Sequence, residues 1–131
     1  MRGLDSNVLV RYAAQDDPKQ SPKATRLVES LTLDDPGYVG LVTIVQLYWV
    51  MTSCYAATKE EICELLETLL RTKEIVVAQA DVVWKAARLY RGSTADFADC
   101  LIERDAEAAG CAYTSTFDRD AAKHCGMRLI D

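Results

Sequence analysis

The sequence predicts an α/β fold with a central, mainly parallel β-sheet and helices on both of its faces. Short apolar segments typical of buried strands alternate with longer segments whose apolar residues recur at helical spacing. Strands separated by helical crossovers form βαβ units, which pair in parallel. No linker, internal repeat or low-complexity stretch interrupts the pattern. We therefore expect one domain over residues 1–131, arranged as a three-layer α/β/α sandwich.

The first part of the chain is predicted to contain two strands and three helices. A short strand at 2–4 precedes a helix at 8–14, for which Ser6 or Asn7 can serve as the N-cap. A second helix is expected from about residue 18 to 31, with Pro18 in its first turn. After a turn at 34–37 come a buried strand at 38–41 and an apolar helix that Thr43 opens.

The second part begins with the best-marked helix, where Thr58 and Glu61 fit a capping box. Its apolar stripe predicts either core burial or a dimer face or partner groove; it consists of Ile62, Leu65, Leu66, Leu69 and Leu70. The remaining elements are expected as a strand at 74–78, a helix at 80–90, a helix from Thr94 to Gly110, a strand at 111–115, a helix at 119–125 and a strand at 127–130.

Acidic and amide side chains follow several of these apolar segments. Asp5 follows the first strand and Asp118 follows the strand at 111–115, while the helices that carry Gln46 and Asp99 begin at the same edge of the sheet. Carboxylates gathered there would repel each other and be partly desolvated. Such a cluster is best explained as a set of ligands for a hard divalent cation.

Each acid also has a structural interpretation. Asp5 and Asp118 could cap the helices that follow them, although Ser6 and Asn7 already supply a cap near Asp5. Asp99 is expected inside a helix, where a carboxylate is neither a favoured cap nor a good helix former, so function is the better explanation. Asp96 is expected in a first helical turn, where a metal ligand and a partner of the helix dipole are equally good interpretations.

Composition limits the classes of function. The net charge of −5 argues against a general basic surface for nucleic acid, so a phosphate-containing substrate would have to be recruited locally. Arg11, Arg91 and Arg119 are candidates for that contact, although single arginines are usually surface charges. The five cysteines form no C-x-x-C pair and are predicted to be reduced and mostly buried. No apolar run approaches the ~20 residues that span a bilayer, so we expect a cytoplasmic protein without a membrane segment.

Four strings give the chain a family resemblance: Leu4 to Tyr12, Gln46 to Val50, Ala95 to Ile102, and Thr116 to Arg119. In this order and spacing they resemble the PIN-domain ribonucleases, and within them the VapC-like toxins of bacterial toxin-antitoxin pairs. The resemblance covers nearly the whole chain.

The resemblance implies a metal-dependent endoribonuclease in which acidic residues hold Mg²⁺ or Mn²⁺. Asp5, Asp99 and Asp118 match the acidic positions of the family, and Asp96 matches an additional acid of the subgroup. Gln46 stands where the family has a Glu, so one anionic ligand is replaced by an amide and activity is expected to be reduced. An RNA substrate, a cognate antitoxin protein and a homodimer are the partners that the resemblance implies.

Two other functions stay open at the level of the sequence. A receiver-like phosphoacceptor also clusters acids at the edge of a parallel sheet, although no lysine follows a late strand as an obvious partner. The second alternative is a non-catalytic PIN-like module that keeps antitoxin binding and has lost hydrolysis through Gln46.

Overall fold

The computed structural model describes all 131 residues and shows seven α-helices and five short strands. All strand pairs are parallel, which confirms the predicted α/β class. Contacts between residues divide the chain into two compact units, Met1–Ala78 and Gln79–Asp131. Each unit has a parallel sheet of its own, and the single domain over residues 1–131 stays a prediction.

The first unit contains a three-stranded sheet and four helices. Its elements are β1 (Arg2–Gly3), α1 (Ser6–Ala14), α2 (Gln20–Glu29), β2 (Gly37–Val39), α3 (Leu41–Cys54), α4 (Lys59–Arg71) and β3 (Ile75–Val77). The strand order is β1-β2-β3, with Arg2 opposite Gly37 and Gly37 opposite Ile75. A Cβ atom at Gly37 would lie 2.8 Å from a methyl carbon of Leu4 and 2.9 Å from one of Leu31, so this strand needs a glycine where core side chains approach its backbone.

The second unit contains three helices and a two-stranded sheet. Its elements are α5 (Ala80–Arg91), α6 (Phe97–Ala108), β4 (Ser115–Thr116), α7 (Arg119–Cys125) and β5 (Arg128–Leu129). Helices α5 and α6 pack together, and the rings of Tyr90 and Phe97 meet edge to face with centroids 5.7 Å apart. Gly110, in a left-handed conformation with φ of 99°, follows α6 as expected.

Several predicted element boundaries are wrong, for local reasons. Helix α1 begins at Ser6 because Asp5 is the N-cap, and α6 begins at Phe97 because Asp96, not Thr94, is the N-cap. Helix α3 begins at Leu41, before Thr43. The observed bounds of α2 are Gln20–Glu29, which leaves Pro18 outside the helix. The strand predicted at 111–115 is confined to Ser115–Thr116, because its partner β5 has only two residues to pair with it.

Other local predictions are confirmed. The capping box at Thr58 and Glu61 has both of its hydrogen bonds, at 3.0 and 3.2 Å. In the apolar stripe of α4, Ile62, Leu66 and Leu69 are buried, whereas Leu65 and Leu70 are half-buried. All five cysteines are free; Cys63, Cys100 and Cys125 are buried, and Cys54 and Cys111 are exposed. None of the helices is long and apolar enough to span a membrane.

Candidate functional site

Three of the candidate acids are helix N-caps. The Oδ1 atom of Asp5 accepts a hydrogen bond from the Ser6 backbone N–H at 2.8 Å, and Oδ1 of Asp96 accepts one from the Asp99 N–H at 3.1 Å. Oδ1 of Asp118 accepts from the N–H groups of Asp120 and Ala121 at 2.8 and 3.1 Å. The sequence argument that Ser6 or Asn7 makes a cap at Asp5 unnecessary is therefore wrong.

Capping does not remove these acids from the list of ligands, because each one uses a single oxygen. The second oxygen, Oδ2, of Asp5, Asp96 and Asp118 accepts no hydrogen bond in the structure. The cap bond fixes the orientation of the carboxylate and thus of its free oxygen. The same carboxylate can therefore cap a helix with Oδ1 and offer Oδ2 as a ligand, so the two interpretations of the sequence are compatible.

Asp99 differs from the three capping acids. It lies in the first turn of α6, rather than deep inside the helix as expected, and its carboxylate makes neither a hydrogen bond nor an ion pair. Desolvation by burial raises its pKa above the ordinary value of 3.8, and the negative charges of Asp96 and Asp118 raise it further. In the second unit, two neighbouring carboxylates therefore disfavour the ionised form of Asp99.

In the first unit, Gln46 is linked to Asp5 through the hydroxyl of Ser6. The Ser6 Oγ lies 3.1 Å from Oε1 of Gln46 and 3.4 Å from Oδ1 of Asp5, and Ser6 is one of two buried polar residues. A hydroxyl carries one proton, so it donates to one of these oxygens at a time. Sequence reasoning treated Ser6 only as a cap, and its position between Asp5 and Asn7 gave no sign of this bridge.

Carboxylate and amide oxygens, which these residues offer in each unit, are suitable ligands for a hard divalent cation. The structure has no group of three or more His, Cys, Asp or Glu side chains placed to hold a metal ion. Asp5, Gln46 and Asp118 are exposed, and Asp96 and Asp99 are half-buried. Their roles as metal ligands stay predictions.

The other candidates are also placed. Asp120 is exposed, and Trp49, which is 46% exposed, lies outside the core. The centroids of the Tyr48 and Trp49 rings are 5.0 Å apart. Arg11, a candidate for contact with a phosphate, contacts Asp16, Gln20 and Tyr55. No sequence pattern indicated the contact with Tyr55, which lies 44 residues away.

Two comparisons with known proteins agree with the resemblance. A sequence model of the PIN domain family matches residues 4–126. A relative described as a VapC ribonuclease, from Aquifex aeolicus (strain VF5), is 24% identical over 131 residues, an alignment that covers 100% of this chain and 96% of the relative.

Proposed function

Since the chain belongs to the PIN domain family, we propose that it is a metal-dependent endoribonuclease and the toxin of a toxin-antitoxin pair. The observation that supports this most directly is the set of carboxylates Asp96, Asp99 and Asp118. Desolvation and mutual repulsion disfavour the charge on Asp99, and a bound divalent cation offsets both. No basic side chain forms an ion pair with any of the three.

The residues that would hold Mg²⁺ or Mn²⁺ are Asp99, with both oxygens free, and Asp96 and Asp118, each with Oδ2 free. In the first unit, Asp5 is a further candidate ligand through the resemblance to PIN-domain ribonucleases. The cation supplies positive charge at a phosphodiester and lowers the pKa of a water molecule that attacks in line. The backbone N–H groups that bind Oδ1 of the capping acids keep each ligand oriented.

Gln46 contributes an amide where the family has a Glu. Its Oε1 accepts from the Ser6 hydroxyl at 3.1 Å, and Oδ1 of Asp5 competes for the same proton at 3.4 Å. With one negative charge fewer, the site holds a cation less firmly, and we expect slow cleavage.

Cleavage of single-stranded RNA by the purified protein tests this proposal. We expect hydrolysis with millimolar Mg²⁺ or Mn²⁺ and none with EDTA, together with a rise in melting temperature that is specific to divalent ions. The absence of a divalent-specific shift, or cleavage that persists in EDTA, would contradict it. A stable acyl phosphate after incubation with a small phosphodonor would instead favour a receiver-like protein.

A second function, partner binding, is favoured by an apolar groove in the first unit. The groove has a volume of about 600 Å³ and is lined by apolar residues of three helices: Leu9 and Tyr12 of α1, Met51 of α3, and Ile62, Leu65 and Leu69 of α4. Glu61 and Glu64 also line it, so the best occupant is an amphipathic antitoxin helix that carries basic residues. This groove can serve an active enzyme or a module that has lost hydrolysis.

Binding of a cognate antitoxin protein, the partner that the resemblance implies, tests the groove. Leu65→Lys places a charge inside the groove and should weaken binding about 100-fold, because an apolar anchor is lost and a charge is desolvated. Leu70→Lys is the matched control, since Leu70 lies on the same helix, is equally half-buried and does not line the groove. Equal loss in both variants would point to general destabilisation of α4 and against the groove. Light scattering of the free protein tests the homodimer.

A further inference from the structure

The side chain of Arg11 lies between two surface cavities that share three of their lining residues. One cavity, of about 560 Å³, is lined by Asn7, Arg11, Gln20, Asp16 and Tyr55 among others. The second, of about 300 Å³, is lined by Asn7, Arg11 and Gln20 together with Lys23. All of these residues belong to the unit Met1–Ala78, on α1, on α2, in the loop between them and at the end of α3.

Three side chains around Arg11, those of Gln20, Tyr55 and Asp16, are engaged in hydrogen bonds within the protein. The Arg11 Nε donates to Oε1 of Gln20 at 2.8 Å, and its Nη1 donates to the Tyr55 hydroxyl at 3.2 Å and lies 3.5 Å from Oδ1 of Asp16. The Tyr55 hydroxyl in turn donates to Oδ2 of Asp16 at 2.9 Å. Both carboxylate oxygens of Asp16 are therefore engaged.

The Tyr55 hydroxyl keeps its proton in this arrangement. Its hydrogen bond to Asp16, with burial and the Asp16 charge adding to it, raises the pKa of Tyr55 above 10.0. The phenol therefore stays a donor to Asp16 at neutral pH. As a result, the Asp16 carboxylate forms an ion pair with the Arg11 guanidinium and accepts a hydrogen bond from the Tyr55 phenol.

The donors, in contrast, are left free. A guanidinium only donates hydrogen bonds, so Gln20 must turn its carbonyl oxygen towards Arg11, and its NH₂ group is left without a partner. The Nη2 of Arg11 makes no hydrogen bond, and neither does the side-chain amide of Asn7 or the ammonium of Lys23. We call these four side chains, Asn7, Arg11, Gln20 and Lys23, the donor surface.

We propose that the donor surface binds a phosphodiester group of single-stranded RNA. A phosphodiester carries a negative charge and offers only acceptors, which complements two cationic groups and two amide donors. The surface begins at Asn7, two residues after Asp5 in the first turn of α1, and continues one turn later at Arg11. Local recruitment of this kind answers the difficulty that a net charge of −5 poses for an RNA-binding protein.

This inference rests on the proposed ribonuclease function, but its test uses binding without catalysis. A fluorescently labelled RNA of about twelve nucleotides is titrated with the protein in EDTA, and anisotropy gives the Kd. Gln20→Glu keeps the acceptor for Arg11 and replaces the free NH₂ with a negative oxygen, and Lys23→Ala removes an exposed charge. The matched control is Lys85→Ala on α5, which changes the net charge by the same amount as either variant and is equally exposed.

We expect Gln20→Glu and Lys23→Ala each to weaken RNA binding about tenfold, the loss of one charge-assisted hydrogen bond. Lys85→Ala should bind like the wild type. In a salt titration, Lys23→Ala should also lower the slope of log K against log salt concentration by about 0.7, the value for one phosphate contact on a single strand. Unchanged melting temperatures would show that both variants fold.

Three outcomes would overturn the inference: wild-type affinity in both variants, an equal loss in Lys85→Ala, or inorganic phosphate bound as tightly as the RNA. The last result would assign the site to free phosphate. The outcome for the enzyme is separate, because an absence of metal-dependent cleavage with the expected binding pattern refutes the ribonuclease and leaves the RNA site. Metal-dependent cleavage, together with wild-type RNA affinity in both variants, would support the ribonuclease and refute the RNA site.

Discussion

In residues 1–78 the candidate ligands are joined by hydrogen bonds, whereas in residues 79–131 they act on one another through charge. Gln46, Ser6 and Asp5 form a chain of polar contacts that contains one carboxylate. Burial, and then the negative charges of Asp96 and Asp118, raise the pKa of Asp99, and its carboxylate has no partner to offset that effect. The first group therefore orients side chains, and the second concentrates negative charge around Asp99.

The largest effect is expected from Asp99→Asn. Removal of the unpartnered carboxylate should lower metal-dependent cleavage at least about 100-fold and abolish the metal-induced rise in melting temperature. In metal-free buffer at neutral pH the same variant should melt at a higher temperature than the wild type, because a desolvated charge that two neighbours repel is lost.

Asp105→Asn, on the same helix α6, is the control for Asp99→Asn and should change neither property. Calorimetry with and without Mn²⁺ and a single-turnover cleavage assay measure the two effects. A metal-free melting temperature below that of the wild type would break the comparison, since it would mean that Asp99 stabilises the fold.

Gln46→Glu adds a charge to the hydrogen-bonded group and tests its role in the opposite direction. We expect metal affinity and cleavage to rise about 10- to 100-fold, because an anionic oxygen replaces an amide. Isothermal titration with Mn²⁺ and single-turnover cleavage give the two values. Equal values for both proteins would remove Gln46 from the candidate site and leave its contact with Ser6 as a packing feature.

Ser6→Ala should have a smaller effect, on stability. The buried hydroxyl joins α1 to α3, and its loss should cost about 1 kcal/mol, or roughly 3–5 °C in melting temperature. Ser53→Ala, at an exposed position of α3, should leave the melting temperature unchanged. A smaller loss in Gln46→Ala/Ser6→Ala than the sum of the single losses would show that the two side chains act through one bond.

The smallest effect concerns the pH dependence of stability and Asp17, an acid whose pKa is lowered whereas that of Asp99 is raised. Backbone N–H groups of Gln20 and Lys19 lower the pKa of Asp17 below 3.8, so its ionised form stabilises the folded state. That contribution is present above pH 3.8 and is lost as the pH falls through the lowered pKa. Asp17→Ala should flatten the decline of stability in this window, as urea unfolding at several pH values would show. If stability declines with falling pH as steeply in Asp17→Ala as in the wild type, the contribution of ionised Asp17 to stability is refuted.

Part of the candidate site could be read from the chain. Three acids at helical N-termini follow apolar segments: Asp5, Asp96 and Asp118. Capping preferences indicated a role as helix cap, and the resemblance indicated a role as metal ligand. The error was to treat these as alternatives. A sequence identifies the carboxylate, but only the backbone geometry shows that a cap uses one oxygen and leaves the other free.

Periodicity and capping chemistry alone determined the positions of most helices, because each depends on residues close together in the chain. The alternation of strands and helices along the chain then predicted the α/β class and, through the crossover rule, the parallel pairing. The capping box at Thr58 and Glu61 is an example. Tertiary structure alone decided that Ser6 bridges to Gln46, that Leu65 and Leu70 stay half-buried, and that Arg11 meets Tyr55. These contacts join residues 40 or more positions apart or depend on the packing of several helices, and a side chain's partner at such a distance is set by the packing of whole elements rather than by any local pattern.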